Sequence, residues 1–139
     1  VKYLMDTDWI INWLKGKAAV VEKIKGFREA GIGISIVSVC EIYDGIYGSD
    51  HPDKNEERFN YFLTGVTVVE LTERICRKFG QLRNDLRKRG KPKSEFDLLI
   101  ATTALINDLE LLTDNVKHYE RIDGLKIGPS SGRYKTTEA

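Results

Sequence analysis

Apolar positions change period several times along the chain, and each change marks a boundary between elements. Tyr3, Leu4 and Met5 form a continuous apolar run ending at Asp6, after which Trp9, Ile10, Trp13 and Leu14 recur at helical spacing. This pattern predicts a short strand over 2–6 that hands over to a helix at Asp6-Thr7-Asp8. A second helix is expected over 18–30, ended by Gly31, and the β-branched stretch 32–37 reads as a buried strand followed by a helix from Ser38. His51-Pro52-Asp53 opens another helix through Phe59, Phe62 and Leu63, and Val66-Thr67-Val68-Val69 is the next strand.

Beyond it, Thr72 is placed to cap a long helix whose apolar stripe is Ile75, Phe79, Leu82 and Leu86, with Gly90 to Pro92 as its stop. Ser94 starts the next element. From 96 to 109 the chain is apolar almost all round, the mark of a central, buried helix. A strand over 111–113, a small helix over 116–121 and a last strand over 125–127 complete the pattern. The expectation is one domain over 1–128 and a flexible C-terminal tail over 129–139. Alternating strands and helices imply an α/β fold of three layers, α/β/α, around a central, mainly parallel sheet with right-handed crossovers. In such a sheet ligands bind where strands end and helices begin.

The 139 residues, 41% hydrophobic and 31% charged, suit one soluble domain able to bury a core without disulfides. No apolar run reaches the length of a membrane span, and 1–5 lacks the features of a secretory signal, so a cytoplasmic location is expected. Cys40 and Cys76 sit in apolar helical patterns and read as two buried small hydrophobes. With only His51 and His118 besides, no spacing offers a zinc site, and any metal must be a hard ion held by oxygen.

The net charge of +1 conceals an uneven distribution. Residues 74–93 carry nine Lys or Arg against the single acid Asp85. A solvated helix face explains such a run; a surface that tracks phosphates also explains it.

Three acids stand at predicted strand-to-helix junctions or helix starts: Asp6, Glu41 and Asp97. Each has an individual explanation as a helix cap, since Ser38-x-x-Glu41 is a capping box, Ser94-x-x-Asp97 a near variant, and Asp6 precedes a helix. Capping does not predict that they meet in space, whereas a shared sheet edge does. Thr113-Asp114-Asn115 adds a further junction. Carboxylates held together repel unless a divalent ion neutralises them, and Mg²⁺ or Mn²⁺ suits such an oxygen-only site. An ion of that kind polarises a phosphoryl oxygen and acidifies water, which is the chemistry of phosphodiester hydrolysis.

At this point the residues resemble a known family, the PIN-domain ribonucleases, and within it the VapC-type toxins of toxin-antitoxin pairs. The resemblance spans about 3–127. It rests on Tyr3-Leu-Met-Asp6-Thr7-Asp8, Ser38-Val-Cys-Glu41-Ile-Tyr-Asp-Gly45, Phe96-Asp97-Leu-Leu-Ile-Ala101, and Leu112-Thr113-Asp114-Asn115 with Tyr119-Glu120-Arg121-Ile122. It implies a PIN-like fold, a Mg²⁺ or Mn²⁺ site, endonucleolytic cleavage of RNA with transfer RNA among the substrates, a cognate antitoxin and a homodimer. By position it implies Asp6, Glu41 and Asp97 as catalytic acids and metal ligands, with Thr113 as a hydroxyl that helps bind water or phosphate. The fourth acid stays open among Asp114, Asn115 and Glu120, because many relatives carry Asp where Asn115 stands. Trp9 and Trp13 read as core or dimer packing, with an antitoxin groove as the alternative. Two other functions stand beside this one: an RNA-binding PIN domain without cleavage, and, on Asp6-x-Asp8, a phosphatase of the haloacid-dehalogenase type.

Overall fold

The computed structural model describes residues 1–91 and 93–131. Among these described residues five strands alternate with seven helices: β1 (Tyr3–Met5), α1 (Thr7–Leu14), α2 (Ala18–Phe27), β2 (Ile32–Ser35), α3 (Ile36–Tyr47), α4 (Pro52–Leu63), β3 (Thr67–Val69), α5 (Glu73–Lys88), α6 (Glu95–Ile106), β4 (Glu110–Leu112), α7 (Val116–Tyr119) and β5 (Lys126–Ile127). All four strand pairings are parallel and the order is β3-β2-β1-β4-β5. The expected mainly parallel sheet is thus parallel throughout.

The two-residue period of the strands divides the interior into two cores. Tyr3, Met5, Ile32, Ile34 and Leu112 face one side with Trp9, Ile10, Val20, Ile24, Ile42, Ile46, Phe59 and Phe62, so α1, α2 and α4 and most of α3 cover that face. Leu4 and Leu111 point the other way, into a core with Leu86, Leu98, Ile100, Ala101, Ala104 and Tyr119 from α5, α6 and α7. Burial on both faces is why β1 is apolar at every position. Each large side chain taken out of water contributes about 1.5–3 kcal/mol, and Trp9 and Trp13, which pack in the first core, are part of that gain.

Connectivity then positions the site. From β1 the chain moves to β2 and β3 on one side, then returns across the sheet to β4 on the other side of β1. The carboxyl ends of β1 and β4 therefore flank the point where strand order reverses, the usual ligand crevice of an open parallel sheet.

Several boundaries differ from the sequence pattern for local reasons. β2 stops at Ser35, not 37, because the Ser35 hydroxyl accepts from Val37 N at 3.0 Å and starts α3 there. Ser38 is consequently one turn inside α3 and is no cap. Thr72 does cap α5, accepting from Ile75 N at 3.2 Å, and Gly90, at φ 69°, turns the chain away after that helix. Cys40 and Cys76 are exposed, not buried: each lies on the outer face of a helix whose other face packs inward. The expected loose tail from 129 is held as far as Ser131, which is buried and bonded to Asp114; residues 132–139 lie outside the described residues. No helix among the described residues is long and apolar enough to cross a membrane.

Candidate active site

Asp6 leaves the end of β1 as the N-cap of α1 and is only 4% exposed. Its Oδ1 accepts from Thr7 N at 2.8 Å, while Oδ2 accepts from the Thr113 hydroxyl at 2.7 Å and lies 3.1 Å from the Tyr119 hydroxyl. The capping explanation for Asp6 is therefore correct but incomplete, since one oxygen caps and the other joins a cluster.

Glu41, half-buried on α3, is tied to the same place through Thr7. The Thr7 hydroxyl stands 2.7 Å from Glu41 Oε1 and 2.9 Å from Ser38 Oγ. It has one proton and the carboxylate can only accept, so Thr7 donates to Glu41 and receives from Ser38. Ser38 and Glu41 are three residues apart and share a helix face. What looked like a capping box is a buried serine supporting the acid's partner.

Asp97 comes from the first turn of α6. Ser94 is the N-cap but makes no side-chain capping bond. Asp97 Oδ1 lies 3.3 Å from the Tyr119 hydroxyl, and its Oδ2 lies 3.5 Å from His118 Nδ1, an ion pair only when the imidazole is protonated. Three acids distant in sequence are thus brought to one corner: Asp6 and Asp97 through Tyr119, Asp6 and Glu41 through the Thr7 that follows Asp6.

The last junction divides its residues. Thr113, fully buried, gives its hydroxyl proton to Asp6 and accepts from Asn115 N at 3.0 Å. Asn115 donates from Nδ2 to Asp8 Oδ2 at 3.1 Å, and Asp8 also accepts from Asp114 N at 3.0 Å. Asp114 is 1% exposed, and its carboxylate accepts from Trp9 Nε1 at 3.2 Å and from the Ser131 hydroxyl at 2.8 Å. That side chain is engaged on the α1 side, away from Asp97. Glu120 is exposed and makes no bond to the cluster.

Electrostatics follow from this crowding. Burial, then the charge of Asp6, pushes Asp8 up to about 7. Burial raises Asp6 against the opposing bonds from Thr113, Thr7 and Tyr119, and raises Glu41, where Asp6 and Asp97 add their charges. Tyr119 is pushed far up by burial and by Asp6 and Asp97, so it remains a hydroxyl donor.

The surface around the corner has two characters. On the α1, α3 and α4 side, Glu41 borders a largely apolar groove of about 280 Å³ lined by Ile11, Leu14, Ile42 and Ile46, with Lys15, Asn55 and Arg58 as its polar members. On the other side, Asp97 opens into a depression of about 240 Å³ with Lys93, Ser94 and His118.

The model of the PIN domain matches residues 3–125. The chain belongs to the PIN-domain family. Ribonuclease VapC1 of Methanocaldococcus jannaschii is 36% identical over 91% of this chain and 86% of its own length. The tRNA(fMet)-specific endonuclease VapC of Shigella flexneri is 29% identical over 91% and 96%. The crystal structure of DNA-bound VapBC from Salmonella typhimurium superposes with a TM-score of 0.87 at 26% identity, covering 94% of this chain and 98% of that one. The PIN fold and the VapC-type resemblance expected from the motifs are both borne out.

Within this PIN domain, sequence reasoning missed the role of Tyr119 and the support given by Ser38 and Ser131. Tyr119 lies four residues after Asn115, the N-cap of α7, about one helical turn on, which is the spacing that returns its ring beneath the strand ends. Ser38 was visible but assigned to a helix start that lies three residues earlier.

Proposed function

We propose that this PIN domain is a divalent-metal-dependent endoribonuclease that hydrolyses RNA phosphodiester bonds as the toxin of a toxin-antitoxin pair. The observation that carries the proposal is the corner itself, where the Tyr119 hydroxyl stands between Asp6 and Asp97 and the Thr7 that follows Asp6 holds Glu41; burial first, and then the neighbouring carboxylates, raises the proton affinity of Asp6, Asp8 and Glu41. Relatives named ribonuclease VapC and tRNA(fMet)-specific endonuclease support RNA, with transfer RNA as one candidate, as the substrate. Relatives seen as VapBC complexes support an antitoxin protein as partner. A homodimer and a cytoplasmic location accompany this reading.

The donor set fits Mg²⁺ or Mn²⁺, being all oxygen and in excess of negative charge. Among the described residues, no three His, Cys, Asp or Glu side chains are grouped closely enough to hold an ion jointly. Asp6, Asp97 and Glu41 are the residues that would hold the ion, each directly or through water, a mode Mg²⁺ readily adopts. When bound, the ion supplies polarisation of a phosphoryl oxygen and a more acidic water.

The side chains divide the remaining work. Asp6, gripped by Thr7, Thr113 and Tyr119, is the fixed ligand. Asp97, half-exposed beside the basic depression, faces the substrate. Glu41 is oriented by Thr7 to accept a proton or a hydrogen bond. Thr113 positions Asp6 and is not free to bind a phosphate, and Asn115 steadies Asp8 in place of a fourth acid. Asp114 is structural and Glu120 stands outside the site.

Purified protein incubated with total RNA is expected to create new ends with Mg²⁺ or Mn²⁺ and none with chelator, and Asp97→Asn is expected to lower cleavage at least about 100-fold with the fold retained. Undiminished cleavage by Asp97→Asn refutes the assignment. Asn115, bonded to Asp8 where many relatives carry an acid, favours one second reading, an RNA-binding PIN domain without cleavage, which predicts RNA binding and no new ends. The family assignment leaves the phosphatase reading without support.

A further inference from the structure

The nine cations of 74–93 do not form one equivalent surface. Arg77 is paired with Glu73 at 3.1 Å, Arg89 with Asp85 at 3.0 Å and Arg83 with Glu95 at 2.6 Å. Of the cations with no ion pair among the described residues, Arg87 and Lys93 line a trough of about 90 Å³ between α5 and the start of α6, together with Arg83, Leu86, Glu95 and Leu98. Lys93 also lines the depression that contains Asp97 and His118. Lys93 is thus common to the lining of both hollows, which sets out a path from Asp97 past Lys93 to Arg87.

We propose that this path carries a single RNA strand away from the acidic corner, with Lys93 and Arg87 each neutralising one backbone phosphate. The inference rests on the ribonuclease reading and adds to it a direction and two phosphate positions. Charge complementarity selects the occupant. The trough holds one neutralised pair, Arg83 with Glu95, and two cations without acids, so its surplus is positive and suits a polyanion. Leu86 and Leu98 form the floor and offer no base-specific hydrogen bond, so the contacts are sequence-independent. At about 90 Å³ the trough has room for a single backbone segment. On the opposite side of Glu41 the groove is mainly aliphatic, with Ile11, Leu14, Ile42 and Ile46, although Lys15 and Arg58 also line it.

The bare corner would repel the same polyanion, so a strand must be drawn in by cations placed beside the acids and not merely somewhere on the molecule. Lys93 meets that condition, four residues before Asp97 and in the same depression. Arg74 and Lys78, near the other end of α5, line neither hollow. They are the internal controls.

The test is binding of a labelled oligouridine strand to the full chain, followed by fluorescence anisotropy across a salt series, with Ca²⁺ in place of Mg²⁺ to neutralise the acids. Lys93→Ala and Arg87→Ala are each expected to weaken binding several-fold and to reduce the slope of log Kd against log salt by about 0.7, the value for one phosphate on a single strand. Arg74→Ala and Lys78→Ala are expected to leave that slope unchanged. Equal losses in all four variants, unchanged slopes in Lys93→Ala and Arg87→Ala, or no oligouridine binding by the unmutated chain each overturn the path. Failure of the ribonuclease reading looks different: binding that depends on Lys93 and Arg87, with no RNA cleaved in Mg²⁺ or Mn²⁺.

Discussion

Replacing Tyr119 with Phe keeps a ring in the core beneath the strand ends and removes a single oxygen. That hydroxyl has one proton, yet it stands 3.1 Å from Asp6 Oδ2 and 3.3 Å from Asp97 Oδ1. It can serve only one acid at a time. Asp6 would keep Thr7 N at 2.8 Å and the Thr113 hydroxyl at 2.7 Å, so its position changes little. Asp97 would keep only His118 at 3.5 Å, so the loss falls on Asp97. A hydrogen bond to a charged acceptor is worth about 1.5–3 kcal/mol. Both distances are long and Asp97 is open to water, which places this bond at or below the bottom of that range, at about 1–1.5 kcal/mol. For a chain of this size that corresponds to a fall in melting midpoint of about 3–6 °C without metal.

A purely structural role would end there, and a second readout tests for more. Groups that orient metal ligands typically change metal affinity about 10–100-fold when removed. Titration calorimetry with Mn²⁺ is therefore expected to show binding about tenfold weaker in Tyr119→Phe, a difference of about 1.4 kcal/mol. Unchanged midpoint and unchanged Mn²⁺ affinity would show the hydroxyl to be idle. Tighter Mn²⁺ binding would show that the hydroxyl occupies space the ion needs, and would equally refute the reasoning.

Two further outcomes follow from the corner and its neighbours. Asp8, raised to about 7 in the fold from an ordinary 3.8, binds more protons folded than unfolded between those values, so stability without metal should fall as pH rises from about 4 to about 7 and then level off. Asp6 and Glu41, also raised, act in the same direction. Urea midpoints between pH 5 and 8 should show this decline, and both Asp8→Asn and saturating Mg²⁺ should reduce it; a rise in stability over that range without metal contradicts the crowding described here. Asp114→Ala removes the acceptor of Trp9 Nε1 and of the Ser131 hydroxyl, both buried, and should cost about 2–4 kcal/mol of unfolding free energy, while Asp114→Asn, which keeps one acceptor oxygen, should cost less. Equal, small losses for both would mean the bonds at Asp114 contribute little.

Much of this molecule could be read from the chain because its strands are buried on both faces and its helices on one. A run such as Tyr3-Leu4-Met5 is short, apolar throughout and closed by an acid, which defines a central strand with a polar exit. Asp6 was legible as a candidate for the same reason, while Glu41 and Asp97, near the starts of α3 and α6, could be singled out because those helices start on the edge where ligands bind. What stayed hidden depended on fractions of a turn. A helix that begins at Ile36 and not at Ser38 converts Ser38 from a cap into a buried donor, and the pattern of apolar residues is nearly the same in both registers. Asp114 and Asn115 are adjacent, chemically similar and both next to Asp8, yet one faces Trp9 and the other faces Asp8, a difference fixed by how β4 ends and not by composition. Tyr119 was hardest of all. An aromatic residue at helical spacing is explained completely by core packing, and its ring is indeed core. Only its hydroxyl, at the far end of a buried ring, reaches the acids, so the residue belongs to the core by its carbons and to the site by its oxygen. No periodicity separates those two memberships, which is why the hydroxyl must be tested apart from the ring.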